Sequence, residues 1–300
     1  MDSYNQQHHF AVFGDIHGRI ALMYTLAFLW ENESGIKLSG LLQVGDMGAF
    51  PNPCKIDDAT QRYAEIDPDE LGFHKFCTRT EEGEFYLGRP NTPNTYFIRG
   101  NHEDFDYLGS IYRPETLDPW QRLHFIPDGQ QITLFKNSDN QHIIGGFGGI
   151  QPRIEQRMRG KKAREKYRKA RRHIDPRFFS EAKSAFNNSE KISILMTHAG
   201  PQCPELQCGS TYLTELAQRI MPKVHLFGHH HQIIGPCQGP GNSLLVGLEH
   251  LYFEKNGELK KGAWGILTLS GKSANFSFSS PKNLPFLKTV KRDTYRTLLF

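Results

Sequence analysis

The chain reads as an α/β protein on a core of parallel strands, and two observations carry that reading. Short apolar runs recur along its 300 residues, with helical stretches between several of them. Each of five such runs is followed by a turn holding Asp, Asn or His, and α/β sheets place their ligands where strand carboxyl ends meet loops.

Taken in order, "FAVFG" (10–14) is the first strand and Arg19 to Glu33 the first helix. Within that helix "ALMYTLAFLW", Ala21 to Trp30, is the longest strongly apolar run. It is well short of the ~20 residues that cross a bilayer, so it reads as buried. "GLLQVG" (40–45) and "TYFI" (95–98) are the next two strands. The polar, aromatic and proline-containing stretch between them, about 48–93, reads as an insertion over one edge, with a helix near Asp69 to Thr80. "LHFIPD", "QQITLF" and "QHIIGGF" (123–147) lack helices between them and read as hairpin or mixed-sheet strands. A second insertion, about 151–188, precedes the strand "ISILMT" (192–197), a helix from Thr211 to Met221 and the strand "VHLFG" (224–228). "SLLVGL", "GAWGILTLS" and "ANFSFSS" complete the strands, giving one domain over 1–280 and a basic tail over 281–300.

Composition narrows the class. At 38% hydrophobic the chain can bury a substantial core. Cys54, Cys77, Cys203, Cys208 and Cys237 are odd in number and form no C-x-x-C pair, which argues against a zinc ribbon or a disulfide framework. The opening "MDSYNQQHHFAVFGD" carries no basic and apolar leader, so the expected location is cytoplasmic, with no membrane association. The net charge of +4 conceals a basic segment: Gln151 to Arg172 holds eleven Lys/Arg against two Glu. That segment suits a phosphate-rich partner or, alternatively, a solvated helix face.

The turns carry the chemistry. They are "GDIHG" (14–18), "GDMG" (45–48), "GNHED" (100–104), "THAGP" (197–201) and "GHHH" (228–231). Their polar residues Asp15, His17, Asp46, Asn101, His198, His229 and His231 amount to four imidazoles, two carboxylates and one amide oxygen. This mixture suits Mn, Fe, Zn or Ni better than Mg or Ca, and seven ligands exceed one ordinary site. Two metals sharing a carboxylate would use them all.

In this order the motifs resemble the calcineurin-like binuclear metallophosphoesterase superfamily, over most of the chain from Asp15 to His231. The resemblance implies a four-layer αββα sandwich of two mixed β-sheets flanked by helices, with a metal pair at one edge. It implies that Asp15, His17 and His231 hold one metal, that Asn101, His198 and His229 hold the other, and that Asp46 bridges them. His230 would point away. Two divalent ions against two carboxylates leave a cationic site that binds phosphate and acidifies a bridging water for in-line attack. The resemblance also implies that His102 faces the substrate, where it would act as the general acid or stabilise charge. Glu103 orients a neighbour or starts the next helix, and Arg99 makes an internal ion pair or a phosphate contact. His173, His225 and His250 have no ligand-like partners in sequence.

The substrate is expected to be a phosphodiester, in nucleic acid. "GDMGAFPNP" lacks the arginine that follows this motif in the serine/threonine protein phosphatases and the bis-nucleotide tetraphosphatases. "THAGP" also departs from the His-Gly-Gly of the protein phosphatases. The layout is similar to the RNA lariat debranching enzymes, although "THAGP" lacks their Asp-Trp and "GDIHG" keeps an aspartate where many of them have cysteine. In the basic segment Ala163, Tyr167, Ala170 and Ile174 recur at helical spacing. Arg164, Arg168, Arg171 and Arg172 are thereby left to track a polyanion, while Tyr167 stacks on a base or packs inward. The alternatives are a phosphomonoesterase or protein phosphatase, and a binding scaffold with an inactive centre.

Overall fold

Strand β1 (Gln7–Phe13) sets the layering, because successive side chains in a strand point to opposite faces. Ala11 and Phe13 enter one apolar cluster, and Phe10 and Val12 enter another. The computed structural model describes residues 7–56, 58–136, 141–151, 171–174, 179–180, 183–184, 186, 191–271 and 273–299.

Seven strands form the first sheet. With β1 these are β2 (Gly40–Gln43), β3 (Thr95–Phe97), β4 (Glu115–Thr116), β5 (Leu123–Phe125), β12 (Trp264–Ser270) and β13 (Ser273–Phe278), in the order β13-β12-β1-β2-β3-β5-β4. Its centre, β1-β2-β3-β5, is parallel, and antiparallel strands flank it. The second sheet runs β10-β11-β9-β8-β7-β6, from β6 (Gln131–Leu134), β7 (His142–Phe147), β8 (Ile194–Thr197), β9 (Val224–Phe227), β10 (Ile234–Gln238) and β11 (Leu244–Gly247). Here β7, β8, β9 and β11 are parallel, with antiparallel edges.

The inner faces of both sheets meet in one cluster that joins Val12, Leu42 and Ile98 to Ile194, Leu226 and Val246. Outside the first sheet lies α1 (Ile20–Ser34), which ends at Gly35 in the left-handed conformation, φ 70°. It is buried from Ile20 through Phe28, which is why its sequence is apolar on all sides. Helices α2 (Asp58–Ala64), α3 (Glu81–Leu87) and α4 (Phe105–Leu108) follow. Outside the second sheet, α5 (Thr211–Ile220) buries Leu213, Leu216 and Ala217 against Leu195 and Phe147. This is the expected αββα sandwich.

One expected helix differs. The segment near Asp69 to Thr80 is a 3-10 turn, Pro68–Lys75, and Thr80 instead caps α3 by accepting from the Gly83 amide. The cause is close backbone packing, since a Cβ at Gly72 would lie 2.2 Å from the Gly18 carbonyl. Beyond residue 281, Leu287, Val290 and Tyr295 pack into the same outer cluster as α1.

The interior also holds His225, fully buried on β9. Its Nε2 meets Thr197 Oγ1 at 2.8 Å, while its Nδ1 finds no hydrogen-bond partner among the described residues. Burial pushes this imidazole down to about 3. An unfolded imidazole takes up its proton near 6.5, so the stability His225 contributes is present above that pH and is lost as the pH falls toward 3. Between pH 7 and pH 5 the loss is about 2 kcal/mol from this residue. Denaturant titrations of metal-free protein at the two pH values are expected to show it, and His225→Gln is expected to remove most of it.

Candidate metal centre

Parallel strands from both sheets end at one edge. The turns after β1, β2 and β3 meet those after β8 and β9, bringing together side chains up to 216 residues apart. These turns are tight: His17, Asp46, His229 and His231 all have positive φ, at 41°, 52°, 63° and 48°. Such conformations cost non-glycine residues about 1–3 kcal/mol each and persist where the surroundings over-determine them. Two glycines make the close approach possible. A Cβ at Gly100 would stand 1.9 Å from Asp46 Oδ1, and one at Gly228 would stand 2.2 Å from Asp15 Oδ1.

Asp46 is buried and divides its two oxygens. Oδ1 accepts from the amides of Asn101 (2.6 Å) and His102 (2.7 Å). Oδ2 faces His17 Nε2 at 3.7 Å and His198 Nε2 at 3.5 Å. Asp15 is likewise buried, with Oδ1 accepting from the His229 amide (3.0 Å) and Oδ2 lying 3.1 Å from His231 Nε2. Burial works to raise the Asp15 carboxyl, but His198, His231 and His17 outweigh it and hold the group well below the carboxylate range. Asp46 is lowered in the same way, burial being outweighed chiefly by His198 and His17. Asp15 in turn holds the His231 imidazole above its ordinary value, whereas burial drives His229 down to about 3.

His198 tests whether a cation fits. Its Nδ1 lies 3.1 Å from the Val44 carbonyl, which can only accept, so in the neutral ring the proton sits on Nδ1. The bare lone pair of Nε2 then faces Asn101 Oδ1 at 2.9 Å and Asp46 Oδ2 at 3.5 Å. With that ring neutral, three acceptors converge without a proton, an environment satisfied either by a second proton on His198 or by a metal ion.

All seven residues singled out in the turns converge here. Asp15, Asp46 and His198 offer ligand atoms within 4.8 Å of one another, and so do His17, His231 and His250. Asn101 and His229 adjoin His198, the two imidazole rings being 5.1 Å apart. Asp15 therefore borders both groups. His102 stands beside the site, its ring 5.7 Å from that of His17. His230 turns away, its Nε2 accepting from the Gly200 amide at 3.0 Å.

His250 and Glu70 acquire roles that spacing did not reveal, and Glu103 takes one of its two expected roles. His250 was expected to have no ligand-like partner, yet a ring nitrogen reaches the group of His17 and His231. Arg19 Nη1 lies 3.3 Å from its Nε2, and a guanidinium only donates, so that lone pair is engaged and Nδ1 keeps the proton. Glu103 orients rather than caps: it accepts from the Met47, Ala49 and Gly100 amides, and Asp104 is the N-cap of α4. Burial, then the neighbouring Asp46, push the Glu103 carboxyl up to about 8. Glu70 is buried with Oε2 3.8 Å from His17 Nδ1. Arg99 makes the internal ion pair, with Asp128 Oδ2 at 2.6 Å. Of the basic segment, Arg171 and Arg172 are exposed, and Arg171 pairs with Asp106 on α4 at 2.7 Å. Arg164, Tyr167 and Arg168 lie outside the described residues.

The family model for calcineurin-like phosphoesterases matches residues 8–233. The chain belongs to that family. It is accordingly a metal-dependent phosphoric ester hydrolase of a family that uses two metals. By sequence, no curated protein matches at a significant level. Solved structures do match in fold. One superposes with a TM-score of 0.51 at 12% identity, covering 92% of this chain and 99% of its own. GAP50, the anchor in the inner membrane complex of Plasmodium, gives 0.50 at 15% identity, covering 92% and 85%. A phosphatase of Mycoplasma pneumoniae gives 0.46 at 11% identity, covering 93% and 99%. Among the described residues no helix is long and apolar enough to cross a membrane.

The glycine contacts make a direct test of this phosphoesterase centre. Gly100→Ala and Gly228→Ala each force a buried carboxylate to move, so elemental analysis after Mn²⁺ reconstitution is expected to fall from two ions per chain to one or none. Gly257→Asn, in which the added Cβ meets nothing within 4 Å and the residue type tolerates the left-handed φ of 76°, is expected to retain both.

Proposed function

We propose that the chain hydrolyses a phosphodiester, in nucleic acid, at a dinuclear site that takes manganese first among Mn, Fe, Zn and Ni. Asp15, His17 and His231 hold one ion, Asn101, His198 and His229 the other, and Asp46 lies between them. When bound, such a pair supplies positive charge to phosphate oxygens and a water acidified toward neutral pH. The chain's own residues do the rest. The amides of Asn101 and His102 are both fixed on Asp46 Oδ1, so the second-metal amide and the proton donor share one rigid turn. His102 gives its proton to the leaving oxygen.

The observation that carries the diester reading is where the nearby arginines are engaged. Arg19 is neutralised by Asp67 and Glu70, and Arg99 by Asp128. After Asp46 come Met47, Ala49 and Phe50, all buried. A diester carries one negative charge and a monoester up to two, so a site with its arginines already paired favours the diester. The nucleic-acid reading is supported by the anchoring of the basic segment. Arg99, two residues before Asn101, donates to the carbonyls of Arg171 and His173, while Arg171 pairs with Asp106. Arg172, exposed at that anchored end, suits a backbone extending beyond the scissile bond.

The ratio of kcat/KM for bis-p-nitrophenyl phosphate over p-nitrophenyl phosphate, on Mn-reconstituted protein, is expected to exceed one. A ratio well below one would favour the monoesterase, and no turnover with any transition metal would favour a scaffold. His102→Ala is expected to lower kcat about 10²–10⁴-fold with metal content unchanged. Asp46→Asn is expected to reduce occupancy at both positions, read by elemental analysis.

A further inference from the structure

The His17 ring is set between two carboxylates. Nε2 looks into the site, 3.7 Å from Asp46 Oδ2, and Nδ1 looks outward, 3.8 Å from Glu70 Oε2. A ring that gives its inward nitrogen to a metal keeps its proton on the outward one. That proton faces Glu70.

Glu70 belongs to the stretch about 48–93 that reads as an insertion, on the 3-10 turn Pro68–Lys75. It is 2% exposed, and its Oε1 accepts from Arg19 Nη2 at 2.8 Å. The same guanidinium donates to Asp67 Oδ2 from Nε (3.1 Å) and from Nη2 (2.8 Å). Glu70 Oε2, the oxygen that Arg19 does not hold, is the one that faces His17. The turn is pressed onto the metal-binding loop without side chains between: a Cβ on Gly18 would stand 2.4 Å from the Glu70 carbonyl. It is braced from behind, because Asp69 accepts from Tyr295 Oη and Arg296 Nη2, both at 2.6 Å.

We propose that Glu70 is the positioning residue of His17, closing by about 1 Å to accept the Nδ1 proton once Nε2 holds a metal. The insertion then forms part of the metal site rather than a cover over one sheet edge. Carboxylates behind metal-binding imidazoles fix the ring's tautomer and orientation, and their loss costs about 10–100-fold in metal affinity. This role rests on the dinuclear reading proposed above.

The test is calorimetric titration of Mn²⁺ into the full chain stripped of metal, comparing wild type with Glu70→Gln and Asp67→Asn. In Glu70→Gln one of the two ions is expected to bind about 10–100-fold more weakly, with the other changed by less than about threefold. Asp67→Asn disturbs the same ion-pair cluster without facing His17, and is expected to leave both affinities within about threefold of wild type. Glu70→Asp, which keeps a carboxylate, is expected to recover part of the loss, and it is the variant to read if the glutamine does not fold. Wild-type affinities in Glu70→Gln, or an equal loss in Asp67→Asn, would overturn the assignment and leave Glu70 as a partner of Arg19 only. Absence of Mn²⁺ binding in the wild type would instead remove the metal-centre reading beneath it.

Discussion

The site depends on how the Asp46 residue is held. Its backbone carbonyl accepts from the amides of Ile16 and His17, and its Oδ1 accepts from those of Asn101 and His102. One residue thus ties the turns after β1, β2 and β3 to a common point. Its remaining oxygen lies 3.7 Å from His17 Nε2 and 3.5 Å from His198 Nε2. A buried carboxylate in such a place costs several kcal/mol unless cations or hydrogen bonds compensate it. Amides compensate the Oδ1 side, and His17 and His198 face the Oδ2 side.

The two sheets contribute unequal chemistry. The turns of the first bring Asp15, His17, Asp46, Asn101 and His102, and those of the second bring His198, His229 and His231. Neither sheet alone holds a complete shell. The inner apolar cluster that joins Val44 and Val12 to Leu226 and Leu248 therefore does more than stabilise the fold. It sets the distance between the carboxylate side and the imidazole side of the centre.

Much of this was legible in the sequence, because strand, glycine and polar turn repeat in order and each turn has to end at the same edge. The strands were legible through apolar runs, and the seven turn residues through their place after those runs. Other parts were hidden for physical reasons. His250 follows β11 with no motif around it, and only the parallel pairing of β11 with β9 brings it beside His231. Glu70 looks like one acid among several in a polar stretch, and its burial arises from backbone packing of Gly18 against the 3-10 turn. The expected helix near Asp69 failed on the same contact, since local propensity does not register a glycine required by a neighbour far away in the chain.

The pairing of β1 with β12 has a consequence for biosynthesis. Phe13 pairs with Trp264, so the strand that leads into Asp15 and His17 meets its antiparallel neighbour roughly 250 residues later. At ordinary translation speeds that interval is on the order of tens of seconds. Through it, one flank of β1 is an open edge, and His231 reaches Asp15 only when the second sheet has been made. Asp15 and Asp46 are therefore made with only His17 among these imidazoles, and His198, His229 and His231 follow roughly 150 residues or more later. Closure of the site belongs to a late stage of assembly, after β9 and the turn that carries His231 have emerged.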